Sequence, residues 1–121
     1  MRMKTYDEME INENIISFNK SVIKNSVPAL LGKRLKQVVL FGSCARGDYH
    51  ADSDMDVAVI IDDDRESMNS YVRKLIDVST DIAMENYSVV NFLCIPSKDF
   101  EGMQNYKLYK NIKNEGIRIY G

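Results

Sequence analysis

Residues 38–61 of this chain read VVLFGSCARGDYHADSDMDVAVII, and the order of residue types in this stretch decides the fold. Two apolar runs, each long enough for a strand, flank a polar segment that is rich in turn-forming residues. The second run contains Asp54 and Asp56 as its only carboxylates. Because residues two apart in a strand point to the same face, these side chains should project together, with Cα atoms roughly 6.5–7 Å apart. Met55 and Val57 then point the other way, into a core.

A pair of carboxylates on one face of a mostly buried strand is unfavourable unless a cation lies between them. A hard divalent ion is the simplest such cation, and Mg²⁺ commonly binds one or two carboxylates together with substrate phosphates. The alternative is a structural pair, in which Asp54 and Asp56 form salt bridges to Arg or Lys side chains. We take both aspartates as candidate catalytic residues and candidate ligands of Mg²⁺.

The turn after the first apolar run supplies groups suited to phosphate binding. Gly42 permits close approach of the backbone to a ligand, and exposed backbone N–H groups at a turn or helix N-terminus bind phosphate. The hydroxyl of Ser43 adds a further hydrogen bond. Arg46 is predicted either to bind a phosphate or to pair with Asp48 or Asp54 and so hold the loop. A phosphate-binding turn beside a carboxylate pair indicates a protein that handles a nucleoside triphosphate.

Together these residues resemble a known signature. Gly42-Ser43, Arg46-Gly47 and Ser53-Asp54-Met55-Asp56 look like the GSxxRG…SDxD motif of the DNA polymerase β-like nucleotidyltransferases. The small size of the chain is similar to that of the minimal nucleotidyltransferase (MNT) group, whose members are often encoded beside a HEPN-domain protein as a toxin–antitoxin pair. The resemblance implies a polymerase β-like α/β fold with a small mixed β-sheet flanked by helices. It also implies nucleotide or phosphate contacts from Gly42, Ser43, Arg46 and Ser53.

Two other polar residues lie in the loop between the two halves of the motif. Ser53 directly precedes the first aspartate, and it is predicted either to shape the turn or to contact the nucleotide. His50 is the only histidine of the chain and has no visible partner for base catalysis. A solvent-exposed loop position is therefore the favoured interpretation of His50.

The chain departs from the family pattern on the third predicted strand, Ser88 to Ile95. Active members of this superfamily usually carry a third carboxylate there, which helps to hold the metal and can deprotonate the attacking hydroxyl. The corresponding strand of this chain contains no acid, and Asn91 is the polar residue at its middle. Asn91 is therefore a candidate degenerate third position, which can ligate a metal weakly but cannot act as a base. Asp99 is an alternative, although it suits the first turn of the next helix better.

The resemblance implies a nucleotidyltransferase that uses ATP with Mg²⁺, in a site for one or two metal ions. An acceptor hydroxyl would attack the α-phosphate, and pyrophosphate would leave against the Gly42-Ser43 turn. Because the chain has no room for a domain that grips a small acceptor, the acceptor is expected to be a macromolecule. By resemblance it is a HEPN-type toxin that receives AMP on a tyrosine, with this chain as antitoxin. The alternative is a non-catalytic module that binds nucleotide or masks a partner's surface.

Length and composition agree with a small globular protein. With 121 residues, of which 45% are hydrophobic and 28% charged, the chain is expected to form one domain over residues 1–121. A net charge of −2 does not favour nucleic acid as a partner. Cys44 and Cys94 are too few for a disulfide framework or a zinc site. No apolar run approaches a membrane span and no signal-peptide core is present, so a cytoplasmic location is expected.

Hydrophobic periodicity predicts the elements around the motif. A helix is expected from about Tyr6 to Ser26, with a capping box at Thr5–Glu8 and an interruption at Pro28. Strands are predicted at 37–41, 53–61 and 88–95. Three further helices are predicted at about 68–84, 98–103 and 105–114, and an extended tail at 117–120. We expect a short helix or turn at Ser43 to Gly47, and helices on one face of the sheet.

The last predicted helix carries a row of lysines. Lys107, Lys110 and Lys113 recur every three residues, beside an apolar stripe that should face the core. A solvated face is the favoured interpretation of this row. The alternative is a basic rim that binds a triphosphate or an acidic or RNA-bearing partner.

Overall fold

A computed structural model of the chain describes residues 10–121, and in that range it contains five α-helices and four β-strands. In chain order they are α1 (Glu13–Leu31), β1 (Leu35–Phe41), α2 (Ser43–Arg46), β2 (Met55–Ile61), α3 (Met68–Asn86), β3 (Val90–Pro96), α4 (Ser97–Gly102), α5 (Lys107–Glu115) and β4 (Ile117–Tyr120). The order of elements agrees with the sequence prediction, and the predicted extended tail is strand β4. None of the helices within residues 10–121 has the length and apolar character needed to span a bilayer.

The first helix differs from its prediction at both ends. Residues 10–12 are not helical, and α1 is capped by Asn12, whose side-chain oxygen accepts a hydrogen bond from the backbone N–H of Ile15 (3.0 Å). The predicted capping box at Thr5–Glu8 lies outside the described residues. The expected interruption at Pro28 is wrong, because α1 continues through it to Leu31. Burial of apolar side chains in the last turns outweighs the single backbone hydrogen bond that proline removes.

The four strands form one mixed sheet in the order β3-β2-β1-β4. Strand β2 pairs antiparallel with β1 and parallel with β3, and β4 pairs antiparallel with the other side of β1. The parallel pair follows from α3, which returns the chain along the sheet between β2 and β3. The predicted small mixed sheet is therefore confirmed, and the strand that carries the aspartates lies inside it, not at an edge.

Both faces of the sheet are apolar, and each face packs against helices. The expectation that helices cover only one face is wrong, because β2 is buried from Val57 to Ile61 on both of its sides. Helices α1 and α3 cover one face, while α4 and α5 cover part of the other through Phe100 and Ile112. On this second face Asn91 and Leu93 of β3 remain exposed. The second face is therefore open beside the start of β2.

A buried polar network ties α1 and the end of α3 to the start of β2. Asn19 is fully buried, and its Nδ2 atom donates to Ser88 Oγ (2.8 Å) and contacts Met55 Sδ (3.3 Å). Asn86 Nδ2 donates to Asn19 Oδ1 (2.9 Å), and Asn86 Oδ1 accepts from the Ser88 backbone N–H (3.1 Å) and hydroxyl. Because buried polar groups are costly when unpaired, the complete pairing of these groups specifies how both helices meet Met55, the first residue of β2.

We expect Asn19→Ala to lower the free energy of unfolding by about 1–3 kcal/mol, because Asn86 and Ser88 would each lose a buried hydrogen-bond partner. Asn25→Ala is the matched control, since Asn25 lies on the exposed side of the same helix and should change stability by less than about 0.5 kcal/mol. Urea denaturation of both variants measures the difference. Equal destabilisation of the two variants would contradict a stabilising role for the network.

Candidate active site

The two aspartates lie at the start of β2. Asp54 directly precedes the strand and Asp56 is its second residue, so the strand begins at Met55 and not at the predicted Ser53. Met55, between them, is fully buried. Because the strand alternates its side chains, burial of Met55 directs both carboxylates to the opposite side, where they contact one common partner.

That partner is Asn91 on the neighbouring strand β3. The parallel register pairs Asp56 with Asn91 directly. The Asn91 Nδ2 atom donates to Asp54 Oδ2 (3.2 Å) and Asp56 Oδ1 (3.4 Å). The polarised amide hydrogens partly offset the repulsion between the two carboxylates. The amide thus lies where a cation shared by the two aspartates would bind, and its exposed position leaves it accessible to solvent.

The donor set fits a hard divalent cation such as Mg²⁺. Oxygens of two carboxylates converge on one small group, and the Asn91 side chain also carries a carbonyl oxygen that could serve as a neutral ligand. Among residues 10–121, no group of three or more His, Cys, Asp or Glu side chains is arranged to hold a metal. A cation here would therefore depend on the two carboxylates, on Asn91 or water, and on substrate phosphates.

Gly42 brings the turn after β1 into contact with Asp56. Its φ of 76° and ψ of −158° belong to a region that only glycine adopts readily. A Cβ at this position would lie 2.9 Å from Asp56 Oδ2, so only glycine lets the turn approach the carboxylate. The turn leads into α2, whose N-terminus is not capped by any side-chain hydrogen bond. Its first backbone N–H groups therefore remain available for an anion.

Arg46, the last residue of α2, forms ion pairs with two acids. Its Nε atom lies 3.2 Å from Asp48 Oδ2, and its Nη1 atom lies 3.2 Å from Glu115 Oε2. Of the two partners expected from the sequence, Asp48 is confirmed, and the ion pair with Asp54 does not form. Glu115, at the end of α5, was missed. The one available signal was its position, because an acid in the last turn of a helix opposes the helix dipole unless a cation lies nearby.

Ser53 shapes the turn that leads into Asp54. Its hydroxyl oxygen accepts a hydrogen bond from the backbone N–H of His50 (2.8 Å), and its backbone N–H donates to the His50 carbonyl (3.0 Å). The His50 side chain is exposed in this loop, as predicted. These contacts account for a serine at this position without requiring it to touch a ligand.

Cys44 lies in the same turn as Ser43 but is not a reactive thiol. The side chain is buried, and its Sγ atom contacts the carbonyl oxygen of Asp54 at 3.5 Å. Burial raises the pKa of the thiol, and the negative charges of Asp56 and Asp54 raise it further, against a hydrogen bond with Ser43 that lowers it. The protonated thiol holds the segment that carries the aspartates against α2.

Two other groups were candidates for the site from the sequence. Asp99 is in the first turn of α4, where its Oδ2 accepts a hydrogen bond from Arg65 Nε (2.8 Å), so it does not replace the missing third carboxylate. The lysines of α5, Lys107, Lys110 and Lys113, are all exposed. Their exposure agrees with the solvated face that was the favoured interpretation.

A cavity of about 310 Å³ opens at the loop before β2. Its walls include residues 51–54 of the loop before β2 and residues 87–89 before β3. Asp54 is part of the wall, so a molecule in the cavity would lie next to this residue.

The chain is similar in sequence to known proteins. The family described as nucleotidyltransferase domain matches residues 20–119 of the chain. A curated protein of Methanocaldococcus jannaschii, "Putative protein adenylyltransferase MJ0604", is 34% identical over 104 residues, which cover 84% of this chain and 97% of that protein. The match thus spans nearly the whole of the relative and includes the segment that carries the aspartates.

Solved structures share the fold at lower sequence identity. The structure of a "putative minimal nucleotidyltransferase" superposes with a TM-score of 0.57 at 20% identity, and the match covers 94% of this chain and 98% of that one. A crystal structure of a toxin–antitoxin with AMP-PNP superposes with a TM-score of 0.52 at 21% identity, covering 92% of this chain and 74% of that one. These likenesses establish the arrangement of helices and strands.

We expect Gly42→Ala to weaken the binding of ATP with Mg²⁺ by about tenfold or more, because the added Cβ would push the Asp56 carboxylate from its place. Gly47→Ala is the matched control: Gly47 also has a positive φ (87°), but a Cβ there meets nothing within 4 Å. Both variants carry backbone strain and only Gly42→Ala disturbs Asp56. Calorimetric titration, with thermal unfolding to monitor the fold, compares them. The same loss of affinity in both would refute the role assigned to Gly42.

Proposed function

This chain belongs to the nucleotidyltransferase domain family, and on that basis we propose that it transfers AMP from ATP to a hydroxyl of a protein. The observation that carries the proposal is the convergence of Asp54 and Asp56 on Asn91, beside a turn that only glycine permits. The 34% identity to the archaeal relative, over 84% of this chain, supports AMP as the transferred group.

In the proposed complex, some site residues bind the nucleotide and others hold the metal. The Gly42-Ser43 turn binds the triphosphate through backbone N–H groups and the Ser43 hydroxyl, with charge supplied by Arg46. Ser53 acts on the nucleotide by holding the loop before Asp54. Asp54 and Asp56 would hold one or two Mg²⁺ ions, which would stabilise the charge that develops on the reacting phosphate.

The reaction is a substitution at the α-phosphorus of ATP. A bond forms between the acceptor oxygen and the α-phosphorus, while the bond from that phosphorus to the oxygen bridging to the β-phosphate breaks. Pyrophosphate leaves and takes both electrons of the broken bond. The acceptor proton passes to solvent, because the amide of Asn91 cannot accept it. A tyrosine, with a phenol pKa of about 10, ionises far more readily than an aliphatic hydroxyl and suits a site without a base.

We propose a HEPN-type toxin as the acceptor, with this chain as its antitoxin in the cytoplasm. Likeness to the MNT group supports this choice, as does the shared fold with a toxin–antitoxin structure that contains AMP-PNP. The whole chain, residues 1–121, would act as a single domain. Exposed Asn91 and Leu93 leave the second face of the sheet open beside Asp56, so that a macromolecule can reach the carboxylate pair.

One observation favours a second candidate, a module that binds nucleotide or masks a partner without catalysis. Asn91 occupies the place beside Asp56 where a third carboxylate would serve as metal ligand and base. Its amide provides neither charge nor basicity. This candidate requires that the chain transfers no AMP, whether or not it binds nucleotide.

We expect Asp54→Ala and Asp56→Ala each to weaken strongly the nucleotide binding that depends on Mg²⁺, because each change removes one of the two carboxylate ligands and half of the negative charge that attracts the metal. Neither change should lower the free energy of unfolding without metal, since each relieves repulsion and removes no core side chain. Asp77→Ala is the control, because Asp77 is an exposed acid on α3. Calorimetry with ATP and Mg²⁺ measures the affinity. Unchanged affinity in both site variants would disprove the assignment of the carboxylate pair.

We expect Asn91→Asp to increase AMP transfer by about tenfold or more, since it restores a charged metal ligand and a base in contact with Asp54 and Asp56, and general-base catalysis contributes roughly 10²–10⁴-fold. The assay combines purified chain, labelled ATP, Mg²⁺ and the protein encoded beside it, co-purified as a complex. Leu93→Asp is the control, because it adds the same charge two residues further along the same exposed side of β3.

The outcomes separate the two candidate functions. A slow parent that Asn91→Asp accelerates, with Leu93→Asp unchanged, supports the enzyme and the role of position 91. A fast parent that Asn91→Asp does not accelerate would mean that the base lies elsewhere, such as on the partner. Parent and variant that both bind ATP but transfer nothing to the partner would favour the non-catalytic module.

A further inference from the structure

Arg46 is the only Arg or Lys within residues 38–61, a stretch that contains four aspartates. Its guanidinium bonds Asp48 through Nε and Glu115 through Nη1, each at 3.2 Å. Asp48 lies only two residues after Arg46, in the loop that follows α2. Glu115 comes from the last turn of α5, 69 residues along the chain. The single cation of the proposed phosphate site is thus already shared between two acids.

The charges around Arg46 disfavour an approaching triphosphate. One positive charge on Arg46 and one negative charge each on Asp48 and Glu115 leave a net charge of −1, and Asp54 and Asp56 bring the region to −3. Phosphate oxygens bind a guanidinium through charge-assisted, often bidentate, hydrogen bonds. Two of the five N–H groups of Arg46, on Nε and Nη1, are already in use, so a phosphate that takes either of them must displace a carboxylate.

The Glu115 backbone is held in place independently of Arg46. The backbone N–H of the next residue, Gly116, donates to the Ile112 carbonyl (3.0 Å), which closes α5. A Cβ at Gly116 would clash with that carbonyl and with the side chain of Val39 in β1, so the chain is packed closely against the sheet here. Asp48 lies in the loop that follows α2, whereas the backbone beside Glu115 is fixed by the end of α5 and by β1.

We propose that Glu115 competes with the triphosphate for Arg46 and so reduces the nucleotide affinity of the site; this inference rests on the proposed function. The ion pair is half exposed, with 43% of the Arg46 side chain and 39% of the Glu115 side chain accessible. A pair of this kind is weak and exchanges readily for a stronger anionic partner. Nucleotide binding therefore breaks the contact between α2 and the end of α5. The nucleotide affinity of the site consequently depends on this contact with α5.

Glu115→Gln tests the competition, since it keeps the size of the side chain and removes its charge. We expect binding of inorganic tripolyphosphate, and of ATP with Mg²⁺, to become about two- to fivefold tighter, because Arg46 no longer has to leave an exposed ion pair with Glu115. The gain should shrink as salt is raised. Glu101→Gln is the matched control, because it removes the same charge from an exposed position on α4. It should leave both affinities unchanged.

A double-mutant cycle identifies Arg46 as the group through which Glu115 acts. In an Arg46→Gln background, Glu115→Gln should produce no gain, because the contested guanidinium is absent. Unchanged or weaker binding in the single Glu115→Gln variant would overturn the inference, and so would a gain that persists in the Arg46→Gln background. A parent that binds neither ATP nor tripolyphosphate would instead refute the proposed function, and this inference with it.

Discussion

Repulsion between the carboxylates of Asp54 and Asp56 is the constraint on which the rest of the site depends. The two groups project to the same side because Met55 between them is buried, and β2 cannot rotate to separate them because its remaining residues are buried on both faces. The Asn91 amide offsets this repulsion only in part, since it carries no charge. Packing of the core therefore maintains an arrangement that a bound cation would stabilise.

The order of strands places the other groups around this pair. Strand β2 lies between β1 and β3, and the register aligns Phe41, Asp56 and Asn91 in one row across the sheet. Because β2 and β3 are parallel, Asn91 at the start of β3 meets Asp56 at the start of β2. An antiparallel pair would bring the opposite end of β3 to the aspartates. The crossover through α3 is thus as necessary to the site as the aspartates themselves.

Prediction from sequence succeeded for local features and failed for features that depend on which side chains are buried. The strands, the short helix after Gly42 and the shared direction of Asp54 and Asp56 follow from residue types and alternation, which act over a few neighbours. The course of α1 through Pro28 was mispredicted, because propensity disfavours a helix there while packing of its last turns retains it. The second layer of helices was missed because the apolar residues of β2 do not reveal which elements cover them.

The sequence by itself determined the family, the carboxylate pair and the glycine that approaches it. All three depend on one short motif and on the alternation of side chains along a strand. Only the tertiary structure decided which partners these groups have. Asn91 meets the aspartates across 35 and 37 residues of chain, and Glu115 meets Arg46 across 69. Such contacts depend on the register of strands and on where the last helix packs, which arise from the summed burial of the whole core and not from any local pattern.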